Sequence, residues 1–258
     1  MLRELVEYRH LLFVLTWRDI RIRYKQTVMG FLWALLMPAL IVAGGILVKK
    51  AFAVVQGTPL DSEAIASASV KALPWAFVVG SIRFATNSLT SNATLLTKVY
   101  FPREVLPLSA VLASLFDFGV AAVVLGVLLG VFGITPSVQL AWVPVILTLL
   151  VLVTAAAGML LACANLFFRD VKYLLDVVLT FGILFTPVLY DARLMGDWAP
   201  LLLANPIGAL LEALNDTIVL HNRPDPFWLA YAAVWAIPGF LAASAIFDRA
   251  EPLFAERV

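Results

Sequence analysis

Charge is scarce in this sequence. Asp, Glu, Lys and Arg make up 14% of 258 residues, hydrophobic residues make up 62%, and mean hydropathy is +0.97. A soluble domain of this length needs about 25% charged residues to cover its surface. Cysteine occurs once, as Cys163, which excludes an internal disulfide framework and a cysteine-based metal site. Histidine occurs twice, as His10 and His221, both in segments flanking the apolar runs. No Gly-x-x-x-x-Gly-Lys-Ser/Thr stretch occurs, so the chain has no loop to cradle nucleotide phosphates. The formal net charge of +1 gives no field that would attract nucleic acid. An intramembrane enzyme is the competing class. It needs a nucleophile and a base within hydrogen-bond reach. Asp117 and Asp176 form no obvious pair, so no catalytic or metal-ligating residue is assigned.

What is abundant is long apolar runs. A helix needs about 20 such residues to cross a hydrocarbon core. The runs predict an all-α membrane protein with six spans, at 27–48, 73–92, 105–132, 140–168, 173–190 and 227–247. Lys49 and Lys50 close the first span. Residues 51–71, with Gly57, Pro59, Asp61 and Glu63, read as too polar to span. Residues 191–225 are apolar but broken by Asn205-Pro206, so they read as short re-entrant helices. Irregular backbone at membrane depth is tolerated where protein or a water-filled cavity lines it. The chain reads as one domain. The first 25 residues carry charges throughout, which does not fit a cleavable signal.

Orientation follows from the positive-inside rule. With the N-terminus inside, twelve of the 18 Lys and Arg fall on inner segments, five on outer segments, and Arg83 within a span. An even number of spans then puts both termini in the cytoplasm. Trp75, Trp142, Trp198 and Trp228 fall near the outer boundaries, where amphipathic rings favour the interface.

Two segments outside the spans stand out. Residues 1–26 alternate Leu2, Leu5, Val6, Leu11, Leu12 and Val14 with charges. This is the pattern of an amphipathic helix at the inner leaflet, its Lys and Arg facing anionic headgroups. It runs into Arg18-Asp19-Ile20-Arg21-Ile22-Arg23-Tyr24-Lys25-Gln26-Thr27-Val28-Met29-Gly30. The second segment, 93–104, joins the second and third spans. It carries Leu95, Leu96, Val99, Tyr100 and Phe101 together, more apolar surface than a loop in water needs, which suggests docking on a partner.

Both segments resemble the permease subunits of bacterial ATP-binding-cassette polysaccharide exporters, the family that moves O-antigen, capsule and teichoic acid. The resemblance rests on Arg-Asp-x-x-x-Arg-Tyr-Lys-x-Thr-x-x-Gly from Arg18. It rests further on Asn-Ala-x-Leu-x-x-Lys-Val-Tyr-Phe-Pro-Arg-Glu-x-Leu-Pro from Asn92. Asn165-Leu166-Phe167-Phe168-Arg169-Asp170-Val171, Thr186-Pro187-Val188-Leu189-Tyr190 and Asn205-Pro206 extend it over nearly the whole chain.

The resemblance implies two permease copies with two cytosolic ATPases, which hold the ATP and Mg; this chain would carry no cofactor of its own. It implies a lipid-linked polysaccharide as substrate, with another amphiphile or small molecule as the alternative, and a bacterial inner-membrane location among membrane lipids. Segment 93–104 would be the coupling helix, with Leu95, Lys98, Tyr100, Phe101, Pro102, Arg103 and Glu104 on the ATPase. Arg18, Arg21, Arg23, Tyr24 and Lys25 would stand where substrate comes in. A sugar conduit suits aromatic faces mixed with a few donors. Trp33, Phe77, Phe84, Phe181, Phe185 and Tyr190 are the candidate lining, with Arg83. Finally, Arg83 lies nine residues from Asn92 and Asp117 eleven from Leu106, ~14 Å and ~16 Å along consecutive antiparallel helices. Charges inside spans face a cavity or each other, so the equal depths predict an Arg83–Asp117 ion pair.

Overall fold

The computed structural model describes residues 7–25, 62–98 and 101–256, with isolated positions between 32 and 54. The expected first span, 27–48, and with it Trp33, therefore falls largely outside the described residues, as do Val99, Tyr100 and the side chain of Lys98. Among the described residues the fold is all-helical. The elements are α1 (Arg9–Tyr24), α2 (Ser62–Ser91), α3 (Ala93–Lys98), α4 (Val105–Val131), α5 (Val143–Phe167), α6 (Val171–Phe185), α7 (Ala199–Leu203), α8 (Pro206–Ile218) and α9 (Pro226–Ala250). Short 3-10 turns occupy Val138–Trp142, Ala192–Trp198 and Glu251–Glu256.

Among the described residues, four helical stretches are long and apolar enough to cross a membrane: Ser62–Ser91, Val105–Val131, Val138–Phe167 and Pro226–Phe254. Helix α2 is central. It packs on α4 and α5, α9 packs on α5, α1 lies along α4, and α8 covers one end of α2 and α5. The α2–α5 crossing is close because both partners are small. A Cβ on Gly158 would sit 2.8 Å from the Ala85 Cβ. Small residues let helix backbones approach in this way.

Two boundaries differ from the sequence expectation, each for a physical reason. Helix α2 begins at Ser62, not near residue 73. Of the residues that made 51–71 read as too polar to span, Glu63 stands in the first turn of α2 and Gly57, Pro59 and Asp61 fall outside the described residues, while Ser67, Ser69 and Lys71 further along are buried against protein. Helix α6 ends at Phe185, not Tyr190. Thr186 precedes Pro187 and is extended (φ −116°, ψ 135°), as a residue before proline is driven to be. At 15 residues α6 is about 22 Å long, shorter than a ~30 Å hydrocarbon core.

The broken region 191–225 forms short helices, as its composition suggests. Asn205 caps α8 by accepting from the Ile207 N–H at 3.1 Å, with Pro206 at the first helical position. Asp225 caps α9 in the same way through the Phe227 N–H at 2.8 Å. Helix α1 lies lengthwise against α4. Asp19 accepts from Ser109 Oγ at 3.0 Å, and one turn on Arg23 reaches Ser114 and Asp117. Trp142 and Trp198 are exposed, whereas Trp75 is buried, its ring 3.3 Å from where a Cβ of Gly182 would stand.

Candidate functional site

On α6 the polar residues Lys172, Asp176 and Thr180 recur every fourth position, so they share one face. On α2, Arg83 and Asn87 do the same. The two stripes flank a cleft of about 570 Å³ whose walls also include Trp75 and Phe84. Arg83 Nε bridges it to Asp176 Oδ1 at 2.8 Å. The other polar groups fold back on their own helices: Asn87 Nδ2 donates to Arg83 O at 3.0 Å, and Thr180 Oγ1 to Asp176 O at 2.6 Å. The cleft therefore offers guanidinium, ammonium, amide and hydroxyl groups beside aromatic faces, within an otherwise apolar body.

This corrects the expected Arg83–Asp117 pair. Asp117 accepts instead from Arg23 Nη1 at 2.7 Å and from the Tyr24 hydroxyl, and Arg83 turns to Asp176. The expected pair fails on facing, because each charge is turned to another helix. Helix α1 lies along α4 and takes the Asp117 carboxylate first. Arg23 also donates to Ala110 O and Ser114 Oγ, each at 3.2 Å, and its guanidinium lies 3.8 Å from the Phe84 ring centroid.

Arg23 and Tyr24 are thus held inside the helix packing. Arg18 pairs with Asp19 at 2.9 Å, Arg21 lies over Trp17, and Arg21 and Lys25 are exposed. Of the aromatic lining candidates, Phe84 borders the cleft. Phe77 is core, its ring 5.4 Å from that of Phe118. Phe181 and Phe185 are exposed but do not line this cleft. Tyr190 is half-buried, its hydroxyl donating to Leu184 O at 2.8 Å.

Segment 93–104, expected to face the ATPase, is also turned differently from expectation. Leu96 and Phe101 are buried with Leu89, Val105, Leu106, Phe247 and Phe254. Their apolar surface is covered by the C-terminal turn, a neighbour that sequence distance hides. Glu104 is buried, Leu95 and Pro102 are half-buried, and Arg103 donates to Glu251 O at 2.9 Å.

A second polar cluster was missed outright. Lys71, assigned to an outer loop, is wholly buried. Its Nζ donates to Asp191 Oδ1 at 2.6 Å, Tyr190 O at 2.7 Å and Glu212 Oε1 at 3.4 Å. Glu212 accepts also from the Ala192 N–H at 2.7 Å, and Arg193 pairs with Asp216 at 2.6 Å. Burial pushes the Glu212 carboxyl above the usual carboxylate range, and the Lys71 ammonium pulls against it. This network ties α2 to the 190–193 strand of chain and to α8. The i, i+4 spacing of Glu212 and Asp216 was the one sign of it in the sequence.

Long apolar helices around a central helix, with a polar cleft between that helix and the shorter α6 and a broken cap at one end, define a multi-pass membrane protein. Comparison with known proteins gives the family. The chain matches the ABC-2 type transporter family over residues 10–219 and belongs to it. It is 31% identical to the O-antigen export system permease protein RfbA of Myxococcus xanthus, over 100% of this chain and 99% of that protein. Two proteins of the same name from Klebsiella pneumoniae are each 29% identical. One alignment covers 95% of this chain and 94% of the relative, the other 80% and 79%. The chain is the membrane permease component of its transporter, and ATP hydrolysis belongs to a separate chain.

Proposed function

We propose that this permease exports a lipid-linked polysaccharide from the cytoplasm across the bacterial inner membrane. It works as two copies with two cassette ATPases, with both termini cytoplasmic. The cleft between α2 and α6 is one wall of the conduit. The observation that carries this reading is the cleft's composition. Lys172, Asp176, Thr180, Arg83 and Asn87 form two facing polar stripes beside Trp75 and Phe84. Sugars present hydroxyls and apolar C–H faces, and their lipid carrier presents phosphate. Rigid aromatic surface and guanidinium donors suit both. End-to-end likeness to O-antigen export permeases supports the substrate class. Segment 93–104 docks on the ATPase through Lys98 and Tyr100, while Phe101 holds the segment to the permease.

The test has two arms. In cells lacking their own copy, Arg83→Ala and Asp176→Ala should lower surface polysaccharide several-fold with the permease still inserted. Lys98→Glu with Tyr100→Ala should release the ATPase on co-purification. Full export with both cleft variants would remove the conduit assignment. An ATPase that stays bound would remove the docking assignment.

A further inference from the structure

The α2–α4 connection can pass force to α2 and α4 through the chain itself. The structure gives it a second contact that chain order does not. Phe254, in the turn after α9, is fully buried. Its ring centroid lies 5.1 Å from that of Phe247 on α9 and 6.1 Å from that of Phe167 at the end of α5. The coupling segment rests on this aromatic group. Phe101 and Leu96 join the same buried cluster. The Arg103 guanidinium lies 5.8 Å from the Phe254 ring centroid, and Arg103 Nη1 donates to Glu251 O at 2.9 Å. The Arg103 N–H points to Glu251 Oε1 at 3.4 Å. A close-packed apolar contact passes displacement to its neighbours because it has little room to compress.

We propose that the C-terminal turn Glu251–Glu256 is the seat of the coupling segment, through which movement of the ATPase reaches α5 and α9. Phe254 is a positioning residue in this arrangement. It touches neither nucleotide nor substrate, and it holds Phe101 and Arg103 so that a push on the segment moves four helices together. The inference rests on the reading that segment 93–104 docks on the ATPase.

The test uses the full-length permease with its ATPase. It reads ATPase retention, ATP hydrolysis by the purified complex, and cell-surface carbohydrate stained after periodate oxidation. Phe254→Ala should leave retention and hydrolysis near wild type. Surface carbohydrate per unit of hydrolysis should fall at least about fivefold, the low end for a coupling between distant sites. Phe254→Leu, which refills the seat, should restore most of it. Glu251→Ala, at a half-exposed position, should give a smaller fall without threatening the fold.

An unchanged ratio in both Phe254→Ala and Glu251→Ala overturns the proposal. So does loss of the ATPase with Phe254→Ala and Phe254→Leu alike, because the turn would then hold the partner itself. If Phe254→Ala fails to insert, Glu251→Ala decides, and an unchanged ratio there overturns it. The Lys98→Glu, Tyr100→Ala permease serves as control. If it keeps its ATPase, the docking reading has failed, and not the seat.

Discussion

Lys71 and Arg83 lie twelve residues apart on one helix, both cationic, both paired with carboxylates, and in opposite situations. Lys71 has 0% of its side chain exposed and has three oxygen acceptors from two other segments. Arg83 and Asp176 keep 46% and 58% of their side chains open and share one bond. Between them stands Arg23–Asp117, at 14% and 22%. A buried charge that loses its partner is strongly destabilising, whereas an open pair contributes little. The same chemistry therefore does two jobs. The buried cluster fixes the cap over α2, and the open pair stands in an accessible cleft.

The largest expected effect is at Lys71. Lys71→Ala leaves Asp191 and Glu212 without their shared cation, a loss of about 3–5 kcal/mol. It should appear as a lower melting temperature in detergent and less inserted protein. Glu212→Gln, which keeps an acceptor for the Ala192 N–H, should cost less. If Lys71→Ala melts like the wild type, burial is not what distinguishes the two regions.

Asp117→Ala comes next. It strips acceptors from Arg23 and Tyr24, but Arg23 keeps Ala110 O, Ser114 Oγ and the Phe84 face. About 1–3 kcal/mol is expected, the range for a buried donor left short of a partner. Limited proteolysis should show α1 released from α4. No release would mean that the apolar packing of Leu15 and Ile20 holds α1 without the ion pair.

The smallest stability change belongs to the open pair. Arg83→Ala should shift stability by no more than about 1 kcal/mol while export falls. The double swap Arg83→Asp with Asp176→Arg sharpens the comparison. A pair that only staples helices regains function when swapped, and a cation that meets substrate from α2 does not. Melting as severe as that of Lys71→Ala would erase the distinction between the two regions.

Much of this was legible in the chain order. The α4 and α5 spans run almost as their apolar lengths suggest, because a hydrocarbon-length run leaves a helix few alternatives. The break at Asn205-Pro206 was visible as well, since proline acts on its own neighbours, whereas the same effect before Pro187 went unread and the span was carried on to Tyr190. The cleft was half legible. Arg83 and Phe84 were identified, but Asp176 was set aside, although Lys172, Asp176 and Thr180 already share one helical face. Phe77 and Phe101 were misjudged for one reason: an aromatic residue looks alike in sequence whether it lines a path or fills a core.

By itself, then, the sequence determined the class: scarce charge, hydrocarbon-length runs and the ordered motifs from Arg18, Asn92 and Asn165 settle a membrane permease. Those are local or additive properties, and each residue carries its share of them wherever the chain goes. Facing and partnership are not. Whether Asp117 meets Arg83 or Arg23, whether Lys71 is solvated or buried, and whether Phe101 docks outward or is buried in the cluster that holds Phe254 depend on helix rotation and on segments far away in the chain. Only the packing of α1 on α4, the cap on α2 and the turn Glu251–Glu256 under segment 93–104 decided them. A charge or an aromatic ring takes its energy from its neighbours, and those neighbours exist only once the chain has folded.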